Sequence, residues 1–266
     1  MPAGAWRFDI GTIRCSVLSD GYFAYPASSF FPDAGARELA AAQVGEQIIC
    51  PYTCLLIQTG SRVALVDTGA GHTSSTSGAI VSRLAMEGVR PEDVDTVVLT
   101  HAHADHIGGA ADLRGRPVFP NARYLLSELE FEYWTSARSG PSPARAALAA
   151  LRFQLDLIER ETEILPGVRA LPAFGHTPGH LAILISSGRD RLLNLGDAAA
   201  HPLHLRRAEW RSGFDFDAAR ALLTRRRLAE MAAAENMRVM AFHFPFPSVG
   251  SLTRRKEGGW EWLPGW

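Results

Sequence analysis

The chain has 266 residues, 47% of them hydrophobic, with 27 basic and 28 acidic side chains and a net charge of −1. That is enough to bury a sizeable core, for one large domain or two small ones. The balanced charge gives neither a basic footprint for nucleic acid nor an acidic tail, and no apolar run is long enough to span a membrane.

At the N-terminus, "MPAGAWRFDI" lacks a positive patch followed by an apolar stretch. A cytoplasmic protein is therefore expected, or a periplasmic one if a leader has been removed. Three cysteines, Cys15, Cys50 and Cys54, are too few for a disulfide framework and read as buried thiols. Strand-like segments follow one another: "IRCSVLS", "TCLLIQT", "RVALVDT", "VDTVVLT", "ARYLLS", "LAILIS" and "RLLNLGD". Each is short and apolar, and most end in glycine or a polar turn. "SGAIVSRLAMEG" reads as a helix closing on Gly88, with Pro91 beyond. "SPARAALAALRFQLDLIERE" reads as one helix with Ser142 as N-cap and Pro143 first inside. Its Leu148, Leu151, Leu155 and Ile158 keep helical spacing. A last long helix is expected from Asp215 to Asn236, opening on aspartates that favour its dipole. The clusters Arg225, Arg226, Arg227 and Arg254, Arg255, Lys256 read as solvated faces, since the chain as a whole is neutral.

Hairpin-like pairs such as "CLLIQTGSRVALVD" and "LAILISSGRDRLLNLGD" speak against a simple doubly wound parallel sheet. A mixed α/β layered sandwich fits better. No repeat, low-complexity tract or long linker interrupts the chain, so residues 1–266 are expected to form a single domain.

The stretch "THAHADHIGGA", Thr100 to Ala110, places three histidines and an aspartate within six positions, just where a buried strand ends. In an extended segment His101 and His103 project to the same side. Asp105 and His106 follow where the chain turns, so they aim elsewhere. Two pairs aimed at two centres imply two metal ions. Further donors stand at other strand ends: His176 in "FGHTPGH", Asp197 in "LLNLGDAAA" and His243 in "VMAFHFPFP". Strand ends gather on one edge of a layered sheet. The expected division is His101, His103 and His176 on one ion and Asp105, His106 and His243 on the other. Asp197 would bridge them. Nitrogen and oxygen donors without thiolate suit Zn²⁺, with Fe, Mn or Co also admissible. His72, His201 and His204 read as structural, and His180 as a hydrogen-bonding neighbour rather than a ligand.

"THAHADHIGG", preceded by "LVDTG" and followed by "GHTPGH", "GD" and a late histidine, resembles the metallo-β-lactamase superfamily. The likeness runs from about Leu18 to the end of the chain. It implies a four-layer αββα sandwich with a dinuclear site along one edge, and Asp67 of "VDTG" supporting the ligands from behind. Asp197 stands where many true β-lactamases carry cysteine. The runs "LSDGYF", "EILPGVRALPAFGHTPGH" and "HFPFPSVGSLTRRKEGGWEWLPGW" look like the methyl parathion hydrolase branch, near the N-acyl homoserine lactonases. The resemblance implies a hydrolase in which a metal-bridging hydroxide cleaves an ester-type bond: a lactone, an aryl ester or a phosphotriester. Asp105 would pass a proton to the leaving group.

The substrate would be a small molecule that meets aromatic residues near the loops. Among Phe30, Phe31, Phe131, Tyr133, Trp134, Phe174 and Phe246, only Phe174 and Phe246 are placed near the metals, each within three residues of a candidate ligand. The terminal "GGWEWLPGW" is expected to serve packing or a dimer contact, which leaves a homodimer open. Two other readings stay open: a non-haem iron oxygenase on the same scaffold, and a non-catalytic, metal-stabilised binding protein.

Overall fold

The computed structural model of the protein describes residues 4–72 and 75–265. The first sheet comprises Ala5–Ile10 (β1), Ile13–Pro26 (β2), Gln47–Thr59 (β3), Arg62–Val66 (β4), Thr96–Val98 (β5), Arg123–Ser127 (β6) and Leu155–Ile158 (β7). Spatial order follows chain order, antiparallel up to β4 and parallel from β4 to β7. The second comprises Thr162–Leu165 (β8), Val168–Pro172 (β9), Leu181–Ser187 (β10), Asp190–Asn194 (β11), Arg238–Met240 (β12), Val249–Arg254 (β13) and Trp260–Pro264 (β14). It is antiparallel except where β11 and β12 run parallel. The helices are Ala27–Phe30 (α1), Ala36–Ala41 (α2), Ile80–Met86 (α3), Ala104–Ile107 (α4), Glu128–Thr135 (α5), Pro143–Leu151 (α6), Pro202–Arg206 (α7) and Ala218–Ala234 (α8).

Strand alternation divides the apolar side chains into layers. In β3, Leu55 and Ile57 face the second sheet while Leu56 faces the helices outside the first. In β10, Ile183 and Ile185 join that same inter-sheet core while Ala182 turns outward. The outer face of the first sheet is covered by α3 and α6 through Leu84, Leu148 and Leu151. The outer face of the second is covered by α7 and α8 through Leu205, Leu228 and Ala232. Both sheets are thus buried on both faces, which accounts for the near-continuous apolar runs of the sequence. The architecture is the α/β, αββα sandwich expected. Trp260 and Trp262 of the terminal segment pack into the outer core of the second sheet, and all three cysteines are buried and unbridged.

Two expectations are corrected. The helix from Ser142 does not run to Ile158. It ends at Leu151, and residues 155–158 form β7. Gln154 makes the turn: its Nε2 donates to the carbonyls of Pro120 and Ala122 at 2.9 and 2.8 Å, and its own carbonyl accepts from Tyr124 N at 2.8 Å. Pairing with β6 outweighs the helical spacing of the leucines. Arg225 is not on a solvated face. Its side chain is 1% exposed, and the guanidinium donates to the carbonyls of Ala198 and Trp210 at 2.7 and 2.9 Å. Arg226 and Arg227, one step on around α8, are exposed as expected. No helix among the described residues is long and apolar enough to cross a membrane.

The layering sets up one edge. β4, β5, β9, β11 and β12 all end there, leading into Asp67, His101, His176, Asp197 and His243 respectively. Leu181 N donates to Thr100 O at 2.8 Å, and Thr53 Oγ1 to Phe242 O at 2.6 Å, tying the two sheets together at this edge.

Candidate metal centre

Three overlapping groups of donors lie within 4.8 Å: His101, His103 and His176; His101, His106 and Asp197; and Asp105, His106 and His243. His103 Nδ1 is 2.9 Å from His101 Nε2 and 3.0 Å from His176 Nε2. A tetrahedral ion with metal–nitrogen bonds of about 2.05 Å needs its nitrogens about 3.3 Å apart, so three nitrogens are gathered near the vertices of one coordination shell. On the other side, His243 Nε2 is 3.3 Å from Asp105 Oδ2, and His106 Nε2 is 3.9 Å from it. Asp197 Oδ2 stands between the groups, 3.4 Å from His176 Nε2, 3.1 Å from His243 Nε2 and 3.5 Å from His106 Nε2. All seven donors named from the sequence are therefore brought together.

Four of the five imidazoles are held by outward hydrogen bonds that leave one nitrogen facing inward. His106 Nδ1–H donates to Asp67 Oδ2 at 2.9 Å, and His176 Nδ1–H to Asp215 Oδ1 at 3.1 Å. His243 Nδ1–H donates to Pro51 O at 2.9 Å, with Cys50 Sγ at 3.0 Å. His101 Nδ1–H donates to Thr100 Oγ1 at 3.1 Å, and that hydroxyl donates in turn to Asp67 Oδ2 at 2.8 Å. Outward donation fixes the tautomer and leaves the inward lone pair for a cation, the arrangement found behind metal-bound histidines. Two inward atoms, His106 Nε2 and Asp197 Oδ1, are buried without a hydrogen-bond partner. Such atoms are costly unless something absent from the protein atoms satisfies them. The donor chemistry, the spacing and these orphaned atoms fit two divalent ions.

Charge divides the cluster. Burial, reinforced by His106 and the other neighbouring imidazoles, holds His101 well below its ordinary value, and burial with His176 takes His103 down to about 3. Burial also opposes protonation of His106, but Asp197, Asp67 and Asp105 outweigh it and raise the group to about 10. His243 is likewise pushed well up, burial being outweighed by Asp197. Burial resists ionisation of Asp197, yet His243 and His106 hold its carboxyl well below the usual range.

Asp67 lies behind His106 and Thr100, at φ +60°, with Oδ1 accepting from Thr100 N at 2.8 Å. His180 donates Nδ1–H to Ala173 O at 3.1 Å and accepts from Asp197 N at Nε2, 2.9 Å. Both its nitrogens are spent, and it positions the Asp197 loop. Gly196 (φ +52°) lets that loop lie on His180: a Cβ there would meet Nε2 at 2.7 Å. Gly109 plays a similar part after the histidine motif, since its Cβ would lie 2.1 Å from Thr68 O. His204 Nε2–H donates to Phe30 O at 2.9 Å, His201 caps α7 by accepting from Leu203 N, and His72 is exposed.

Several contributors were not visible in the sequence. Glu130, fully buried on α5, accepts from Ala102 N at 3.0 Å, Gly179 N at 2.9 Å and Trp134 Nε1 at 2.6 Å. One carboxylate thus braces the loops carrying His101, His103 and His176. Asp215 holds His176 and is itself met by Arg225 Nη2 at 3.4 Å. Asp20 binds the loop after Asp67 through Ala70 N, Gly78 N and Ile80 N at 2.9–3.1 Å.

A cavity of 210 Å³ opens over the cluster, with Tyr25, Phe30, Phe214, Ala104 and Ala200 among its walls and His103, Asp105, His176, Asp197 and His243 in its floor. Phe174 and Phe246 are not among its lining residues, contrary to expectation. The ring of Phe174 meets the Arg220 guanidinium at 4.8 Å, and Phe246 packs against the inter-sheet core. Nearness in sequence to a ligand does not carry over through a turn. Phe242 stacks on His106 with ring centroids 3.8 Å apart, while Trp134 meets His103 and Tyr52 meets His243 edge to face at 5.7 and 5.6 Å.

Comparisons with known proteins agree with this geometry. The family model of the metallo-beta-lactamase superfamily matches residues 48–243. An N-acyl homoserine lactonase of a Bacillus species is 28% identical over 163 residues, 54% of this chain and 61% of the relative. A probable metallo-hydrolase of Mycobacterium tuberculosis is 28% identical over 180 residues, 55% and 56% respectively. The chain thus spans about three fifths of the length of the curated relatives it matches. Among solved structures, AidC, a dizinc quorum-quenching lactonase in complex with a product, superposes with a TM-score of 0.91 at 26% identity, covering 99% of this chain and 98% of that one. The hydrolase AbOPH superposes at 0.90 with 24% identity, covering 100% and 99%, a likeness of fold. With the match covering most of the chain, and the ligand loops gathered at one edge of an αββα sandwich, the chain belongs to the metallo-beta-lactamase superfamily.

Proposed function

We propose that the protein is a dinuclear-metal hydrolase of ester-type bonds, with a lactone as the favoured substrate. One observation carries the reading: Asp197 Oδ2 lies 3.4 Å from His176 Nε2 and 3.1 Å from His243 Nε2, between two donor trios beneath an open cavity. Two divalent ions, zinc by donor type, would supply hydroxide near neutral pH and positive charge for the developing oxyanion. His101, His103 and His176 would hold one, Asp105, His106 and His243 the other, with Asp197 shared. Asp105 turns Oδ2 toward His243, which leaves its other oxygen to take a proton and deliver it to the leaving group. Tyr25, Phe30 and Phe214 give the cavity apolar walls suited to an acyl chain. The open cavity over the donors speaks against a purely structural role for the metal, because a structural site is closed. The lactone preference is supported by the likeness to AidC, whose structure holds N-hexanoyl-L-homoserine.

The test is a panel of N-hexanoyl-homoserine lactone, phenyl acetate and paraoxon, assayed on protein stripped by a chelator and reloaded with Zn²⁺, Mn²⁺, Co²⁺ or Fe²⁺. Turnover of at least the lactone, lost on stripping and restored on reloading, is expected. No metal-dependent turnover of any of the three contradicts the proposal. Oxygen uptake by the iron form alone selects an oxygenase instead.

A further inference from the structure

Apart from the metal-ligand candidates, the polar side chains lining the cavity are Tyr25 and Cys50. Cys50 Sγ is engaged against His243 Nδ1 at 3.0 Å. Tyr25 is different. β2 and β3 pair Phe23 with Cys50 and Tyr25 with Ile48, so alternation sets Tyr25, Cys50 and Tyr52 on one face of the ribbon. Across that face Tyr25 Oη lies 2.9 Å from Tyr52 Oη.

The position of the protons follows from burial. Tyr52 is 3% exposed, and among the described residues Tyr25 is the one hydrogen-bond partner of its hydroxyl. A phenol titrates near 10, so at neutral pH each oxygen carries a proton. If Tyr25 donated to Tyr52, the Tyr52 proton would be left buried without an acceptor, the costly arrangement. Tyr52 therefore donates and Tyr25 accepts. The Tyr25 proton is then free to point elsewhere, and its hydroxyl, unlike that of Tyr52, belongs to a cavity-lining residue. A hydroxyl that accepts one hydrogen bond becomes a better donor of the next.

We propose that Tyr25 is a further catalytic residue: its O–H, turned into the cavity by donation from Tyr52, hydrogen-bonds the acyl oxygen of the substrate as charge builds there. Tyr52 is its positioning residue. No bond is made or broken at either phenol. The inference rests on the ester-hydrolase reading above. Ring contacts of Tyr25 with Phe30 and Phe214, at 5.8 and 5.6 Å between centroids, hold the phenol in place.

The test uses zinc-loaded protein and N-hexanoyl-homoserine lactone. Tyr25→Phe keeps the ring and its packing. It is expected to lower kcat by about 100-fold, the scale of losing one oxyanion donor, with zinc content and KM little changed. Tyr52→Phe frees the Tyr25 hydroxyl to rotate, and kcat is expected to fall by about tenfold, the lower part of that scale. The double variant should match Tyr25→Phe alone, since the second phenol acts only through the first. Calorimetric binding of the product N-hexanoyl-L-homoserine, which needs no turnover, should weaken in Tyr25→Phe. An active wild type with unchanged kcat in Tyr25→Phe, a loss confined to KM, or a double variant whose loss is the product of the two single losses, overturns the role of Tyr25 alone. A wild type that neither hydrolyses the lactone nor binds its product overturns the lactone reading and this inference together.

Discussion

His101, His103 and His176 offer three nitrogens held by burial and by one another; Asp105, His106 and His243 offer two nitrogens and a carboxylate. In the first group the imidazoles His101 and His103 are kept neutral, whereas in the second both imidazoles are kept protonated by the surrounding carboxylates. The same residue type is thus pushed in opposite directions within a few ångströms: burial prevails at His101 and His103, where other imidazoles reinforce it, and carboxylates outweigh it at His106 and His243. His101 and His103 are already in the state that binds metal. The second group must release protons to do so.

The largest effect should come from the residue that joins the two halves. Asp197→Ala removes the oxygen proposed to be shared, and activity should fall by about 1000-fold or more, on the scale of a lost electrostatic group at a reacting centre. Metal content should drop at both positions, and two retained ions would show that the trios do not depend on it. The next effect separates the halves. His243→Ala should empty the carboxylate-bearing position more than the other, and His103→Ala the reverse. Unchanged occupancy of both positions in His243→Ala would mean that the ligand assignment is wrong.

Smaller changes are expected from the carboxylates behind each trio. Asp215→Asn loosens His176 and Asp67→Asn loosens His106 and Thr100, and each should cost about 10- to 100-fold in metal affinity, read as the chelator concentration that strips one ion. An Asp67→Asn variant that loosens the His101 position alone would contradict the pairing.

The smallest effect is on stability, in protein stripped of metal. His103 and His180, brought to about 3, and His201, to about 4, resist a proton that the unfolded chain takes up below about 6.5. Their contribution is lost as pH falls below that value. His106, raised to about 10, binds a proton the unfolded chain has released, so its contribution is complete below 6.5 and lost as pH rises toward 10. One such group changes stability by about 1.4 kcal/mol per pH unit within its window. The melting temperature of the stripped protein should therefore peak near pH 6.5, and a monotonic rise between pH 6.5 and 9 would contradict the opposed charges.

The comparison also explains what could be read in advance. Dense imidazole between Thr100 and Ala110 has few structural uses, and single donors at strand ends pointed to a shared edge. The braces carried no such signal. Glu130 reaches Ala102 across 28 positions and Asp215 reaches His176 across 39, through contacts that exist only once helices and sheets are packed. Tyr25 was hidden for the same reason, in a strand whose partner register decides which side chains share a face. Leu155 and Ile158 fit helical spacing, and pairing with β6 overrode it. Arg225 looked like part of a charged run, but it lies on the buried face of α8, and a step or two around the helix puts Arg226 and Arg227 in solvent.

The most direct measurement is anomalous diffraction at the zinc edge from crystals grown with excess zinc. Two ions about 3.5–4 Å apart, with Asp197 touching both and one trio completing each, are predicted. A single ion, or two ions that leave Asp197 or either trio uncoordinated, would contradict the account.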